Sequence, residues 1–309
     1  MRWLLLIGIV AMVGCAKQGT YIPPPPRYVF VLPDKQSAWL QHAEQGFMAG
    51  CEQLQMECVT AKYSAATTEA IVQAVLDHGD TKGAPATIAF DDPALIKPVT
   101  DALSLKSRQV ILVGHDDSGA HRRGHVGPDA KRLAALVAVR SQSLEPPATR
   151  ILYVLGSAPV DVNMLEASAF RESAGWTKYR PRVKKLADVT DEDFAWCDLV
   201  VPIGEDAQAK ATASSAKRIF PTEPTEASIS LLKSGRAQHV IANNYFDIGL
   251  RASRIAREQA VYKTISNPIL PIAPKEVDSQ SVELYLETRF KVPPIIREKP
   301  PERPNAKTK

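Results

Sequence analysis

The chain is 309 residues long and carries 38 Lys and Arg against 34 Asp and Glu, a net charge of +4. So small a basic excess argues against a nucleic-acid-binding surface, while the length allows two lobes with a core each. Beyond residues 4–13 no stretch is apolar enough to cross a bilayer, which takes about 20 residues.

Arg2 and the apolar run from Leu4 to Val13 have the charge and length of a secretion signal. The following Met12-Val13-Gly14-Cys15 resembles a bacterial lipobox. The resemblance implies that residues 1–14 are a signal peptide and that Cys15 is lipidated after cleavage. It places the protein in the cell envelope, anchored by lipid on the periplasmic side of a membrane. Acyl chains contribute about 0.8 kcal/mol per buried methylene, so two or three of them hold a protein stably. Residues 15–27 form the linker, and Pro23 to Pro26 make it a stiff, extended spacer.

From Tyr28 onward the pattern alternates. Tyr28 to Leu32 reads as a buried strand, and Ser37 to Leu54 as a helix with Leu40, Ala43, Phe47, Cys51 and Leu54 on one face. Strands follow at Glu57 to Lys62, Ala86 to Phe90 and Gln109 to Val113. Helices open at Thr67, Pro93 and Pro128. Pro146-Pro147 interrupts the series, which then restarts. Strands are expected at Arg150 to Leu155, Arg182 to Ala187, Asp198 to Ile203, Arg218 to Phe220 and Gln238 to Ala242. The helices between them are expected at Val160 to Ser173, Asp206 to Ala216 and Pro224 to Lys233, with a last long one from Tyr245 to about Tyr262. Residues 291–309 read as a disordered, basic, Pro-rich tail.

Strict alternation implies parallel sheets covered on both faces. The fold class is therefore α/β, with two doubly wound parallel-sheet lobes and a ligand cleft between them. Ligands in such folds bind beyond the carboxyl ends of the strands. Those ends are the loops at residues 33–39, 90–93, 114–127, 156–161, 203–206, 220–224 and 243–246. Lobe 1 is expected to comprise residues 28–126 with about 244–268, and lobe 2 residues 127–243 with about 269–290.

Residues in these loops carry a family resemblance. Ala38-Trp39-Leu40 with Gly46-Phe47, Ala89 to Pro93, Val110 to Asp117, His125 to Asp129 and Ser234 through Gly249 follow one another in the order of the sugar-binding periplasmic proteins of the ribose type. The chain resembles this family, with its type I periplasmic-binding-protein fold, over roughly residues 28 to 290. The resemblance implies two lobes that close on a small, sugar-like solute for transport through an ABC permease or for sensing. No cofactor and no nucleic acid are expected. The ligand-binding positions the resemblance points to are Trp39, Asp91, Asp116, Asp117, Glu166, Glu205, Asp206 and Asn243. Several depart from the family pattern. Glu166 stands where members carry Arg, Glu205 replaces the Asn of an Asn-Asp pair, Pro221 replaces an Asp, and Asn243 replaces a Gln. The charge reversal at Glu166 suggests a cationic or differently decorated polyol. It also leaves open an envelope interaction or structural module of the same fold that has lost solute binding.

Several of these positions also have a local explanation. Asp91, Asp92, Glu205 and Asp206 suit helix N-termini, and Asp116-Asp117 suit a turn. His115, Asp117, His121 and His125 are suitable metal ligands, but Arg122 and Arg123 lie among them, so no metal is expected. No catalytic motif is present: G-x-S-x-G, H-E-x-x-H, a phosphate loop and Cys-x-x-Cys are all missing, and an enzyme is not expected. Cys51, Cys58 and Cys197 are expected as buried free thiols, although Cys58 on a following strand leaves a bridge to Cys51 open.

Overall fold

The computed structural model describes residues 26–79, 83–174, 179–265 and 267–293. The expected signal peptide, Cys15, nearly all of the expected linker and most of the expected tail lie outside the described residues.

The first sheet is built around β1 (Arg27–Pro33), buried from Tyr28 onward on both faces. Next to it run β2 (Glu57–Tyr63) and β3 (Ala86–Ala89), then β4 (Val110–Val113) and β5 (Gly124–Pro128). The order is β10-β5-β4-β3-β1-β2, where β10 is Ile269–Ile272, and every pairing is parallel. Helices α1 (Ala38–Gln53), α2 (Thr68–His78), α3 (Ile96–Leu105) and α9 (Tyr245–Tyr262) cover this sheet. Thr67 caps α2 through its hydroxyl, and one 3₁₀ turn at Pro93–Leu95, capped by Asp92, leads into α3.

The second sheet has β6 (Arg150–Leu155) at its centre, with β7 (Arg180–Lys185) and β8 (Leu199–Ile203) parallel on either side. Residue Ile219 adds a single parallel bridge to Val200 in place of the expected strand at Arg218 to Phe220. A separate antiparallel pair, β9 (Val240–Ala242) with β11 (Lys275–Val277), breaks the all-parallel expectation. This lobe carries α4 (Ala130–Gln142), α5 (Val162–Ala174), α6 (Asp191–Trp196), α7 (Glu205–Ala213), α8 (Glu226–Lys233) and α10 (Val282–Thr288).

The chain passes between the lobes after β5, between β9 and α9, and between β10 and β11. Residues 269–272 extend the first sheet beside β5, although the sequence assigns them to the second lobe. Pro271 cannot donate a ladder hydrogen bond, and an outermost strand tolerates that loss.

Helices α1 and α9 lie side by side in close contact. A Cβ on Gly46 would enter the Phe246 backbone, and one on Gly249 would enter the Ala43 backbone. Only glycine permits that approach. The contact sets Trp39 and Tyr245, near the starts of the two helices, with ring centroids 5.8 Å apart. Around them one hydrophobic cluster runs without a break from Phe30 and Ile111 in the first sheet to Tyr153 and Val201 in the second.

Cys51 and Cys58 are joined in a disulfide, so the expectation of free thiols is corrected for this pair. The chain reverses sharply after α1 through Gln55, at φ 53°, and β2 then brings Cys58 to a Cα–Cα separation of 6.2 Å. Cys197 is free and buried, and burial pushes its thiol up to about 11.

Candidate functional site

A cleft of about 940 Å³ opens between the lobes, within the size range of ligand sites. The loops after β3, β4, β6, β7 and β8 line it, together with the first turns of α4 and α5 and the edge strand β10. These are the carboxyl ends of parallel strands in both sheets, where an open α/β fold gathers its ligands.

From the first lobe come Asp91, His115, Asp116 and His125. Partial burial holds the Asp91 carboxyl above its ordinary range. Asp116 receives two bonds from Arg122, at 2.5 Å from Nε and 2.7 Å from Nη2, and His125 Nδ1 stands 3.7 Å from it. Burial raises the pKa of Asp116, but the Arg122 bonds and the neighbouring charges outweigh it and hold the carboxyl below its usual range. His125 Nε2 donates to the Gly114 carbonyl at 3.0 Å. Burial, then the neighbouring His125, brings His115 down to about 4, so it is neutral at neutral pH. Among the described residues its buried Nε2 has no hydrogen-bond partner.

From the second lobe comes Asp206, whose Oδ1 accepts from Ser157 N at 2.9 Å, Ser157 Oγ at 3.0 Å and its own neighbour Ala207 N at 2.9 Å. That carboxylate ties the loop after β6 to the start of α7. Lys131 and Lys185 add positive charge to the walls. Among the described residues no group of three or more His, Cys, Asp or Glu is arranged to hold a metal ion.

Of the eight positions singled out in the sequence, Asp91, Asp116 and Asp206 line this cleft. Asp117 sits beside it and uses Oδ1 to accept from Gly119 N at 2.8 Å, as a turn residue does. Glu205 is exposed at the first turn of α7, and Glu166 lies farther along α5, both outside the lining. Trp39 is 2% exposed. Its ring lies against Gly114, edge-on to His115 at 6.1 Å, and forms a floor beneath the cleft. The Gly114 φ of 83° and the ring both bar a side chain there. Asn243 is buried under the same floor. Its Nδ2 donates to the Tyr245 hydroxyl at 3.1 Å, and its Oδ1 has no partner among the described residues.

The sequence gives no notice of Glu223. This carboxyl is 2% exposed and accepts from Tyr245 Oη at 2.9 Å. Burial pushes its pKa up to about 8, against the opposing pull of the Tyr245 bond, so it is mostly protonated at neutral pH. The only signal available is its place in the loop at 220–224. Arg122, which neutralises Asp116, is likewise invisible as a partner until the loop after β4 folds back.

No protein-family model matches the chain, and no curated protein does. Solved structures do, and they define the class: the fold is that of the type I periplasmic binding proteins. An ABC-transporter solute-binding protein from Burkholderia graminis, solved with D-arabinose, is 12% identical with a TM-score of 0.67, over 84% of this chain and 98% of that one. A periplasmic ribose ABC transporter structure from Conexibacter woesei is 12% identical with a TM-score of 0.67, over 85% and 95%. A carbohydrate transporter from Acidothermus cellulolyticus, solved with myo-inositol, is 14% identical with a TM-score of 0.62, over 86% and 99%.

Proposed function

We propose that the chain is an exported, lipid-anchored binding protein that closes its two lobes on a sugar-like solute and presents it to an ABC permease or a sensor. The observation that carries this reading is the cleft at the strand ends of both sheets, lined by carboxylates already held in place. Asp116 and Asp206 are fixed by Arg122 and Ser157, so they meet a ligand hydroxyl without first being ordered. Asp91 lines the same cleft and supplies a further acceptor. Similar folds solved with D-arabinose and myo-inositol support a polyhydroxylated ligand. Cys15 is the proposed site of the lipid.

A thermal-shift panel of pentoses, hexoses, polyols, amino sugars and polyamines tests the reading. A ligand at 100 times its Kd adds about 2.7 kcal/mol to stability. One observation favours a second reading, an envelope interaction module that no longer binds solute. The hydrophobic cluster is continuous through Trp39 and Tyr245, so the inner part of the cleft is filled by the protein's own side chains. A panel without any shift favours that module.

A further inference from the structure

Helix α10 belongs to the second lobe. Val282, Tyr285 and Leu286 pack into the cluster formed by Leu152, Val154 and Val200. The residues that follow do not stay there. Arg289 Nη1 still donates to the second lobe, to the Pro224 carbonyl at 3.0 Å. Its guanidinium also stacks over the next ring, Phe290, 4.7 Å from the centroid. Phe290 lies on the first lobe, 5.0 Å from the His42 ring on α1 and 5.6 Å from the Phe246 ring on α9. Three residues later, Gln53 Nε2 at the end of α1 donates to the Pro293 carbonyl at 2.8 Å. Arg254 on α9 holds the other end of that amide, Nη2 to Oε1 at 2.9 Å, which fixes the direction in which Gln53 donates.

We infer that residues 289–293 are a strap that sets the angle between the lobes. The segment runs from His42 and Phe246, near the starts of α1 and α9, to Gln53 at the end of α1, where Arg254 midway along α9 holds the same amide. It adds a link between the lobes that is not one of the strand crossings. A crossing bends at a few backbone angles and permits closure. The strap instead grips α1 and α9 of the first lobe, where a change in lobe angle must slide Phe290 along the two helices or break the Gln53 bond. Its hold is small: one ring and one hydrogen bond on the first lobe, and the Arg289–Pro224 bond on the second. It therefore limits the excursion of the lobes without locking them, and a partner that took hold of Phe290 would free the hinge. The strap rests on the two-lobe fold and does not depend on which ligand the cleft holds.

Spin labels on Gln73→Cys in α2 and Lys233→Cys in α8, both exposed, report the lobe separation in a Cys197→Ala background with the Cys51–Cys58 disulfide left intact. The chain with its full tail should give one narrow distance distribution. Ending the chain after Thr288, or combining Phe290→Ala with Gln53→Ala, should widen that distribution at least twofold while the circular dichroism of each lobe is unchanged. If the truncated chain does not fold, the double substitution decides. Superimposable distributions in the folded variants would overturn the strap.

Discussion

Tyr245 donates its hydroxyl to Glu223 Oε1 at 2.9 Å, with the two residues 1% and 2% exposed. The tyrosine opens the last long helix of the first lobe, and the carboxyl stands on a loop of the second. One buried hydrogen bond thus joins the lobes under the cleft. Tyr245→Phe removes it and also takes away the hydroxyl to which the Asn243 amide donates. A buried group left unsatisfied costs about 1–3 kcal/mol. Urea unfolding of the variant should show a loss of that size with an unchanged slope.

Glu223 makes stability depend on pH in a defined direction. Its pKa is about 8 in the folded protein against an ordinary value of 4.5. Between those values the folded state holds the proton and the unfolded state has lost it, so this group's contribution falls as pH rises through the window and is level above it. Glu223→Gln keeps the shape and removes the titration. Melting temperatures at pH 5 and pH 8 should lie closer together in the variant than in the parent, with the gain concentrated at pH 8. An equal difference in the two proteins would show that Glu223 is not the group responsible.

Trp39 is among the largest fully buried side chains, and its ring closes the floor under Gly114. Trp39→Ala should cost about 3–5 kcal/mol, as cavity-forming aromatic truncations do. A residue that only stacked on solute at the cleft edge would lose affinity with little change in stability. Denaturant unfolding beside ligand titration separates the two roles.

The Cys51–Cys58 disulfide closes a short loop with a sequence separation of 7. Chain-entropy arguments give roughly 2–3 kcal/mol for a loop of this size. Replacing both cysteines by serine, or adding reductant, should lower the melting temperature by several degrees. Thiol titration of the oxidised, unfolded chain beginning at residue 16 should find one reactive cysteine, Cys197.

The helices and central strands were legible because their residues repeat with clear periods. The expected helix from Tyr245 to Tyr262 coincides with α9, and the expected strand from Arg150 to Leu155 with β6. The elements that escaped notice lack such a pattern. Strand β5 contains Gly124, Gly127 and Pro128 and no apolar run, and it exists because β4 and β10 flank it. Strand β10 contains Pro271 and is half exposed. At the cleft, the loops were legible but the side-chain directions were not. Trp39 and Asp91 both follow a first-lobe strand, yet the indole turns inward under Gly114 while the carboxylate lines the opening. Partners such as Arg122 for Asp116 and Tyr245 for Glu223 are created by tertiary approach, and no spacing in the chain announces them.

If the cleft binds a sugar-like solute, its fixed carboxylates carry the affinity. Isothermal titration of D-arabinose, D-ribose and myo-inositol into the soluble chain beginning at residue 16 tests it most directly, with Asp116→Asn titrated beside it. Saturable single-site binding to at least one of them is expected. In the variant a loss of at least tenfold in affinity is expected, about 1.4 kcal/mol, while the fold persists. Absence of heat with all three at millimolar concentration, or equal affinity in the Asp116→Asn variant, would contradict this reading of the cleft.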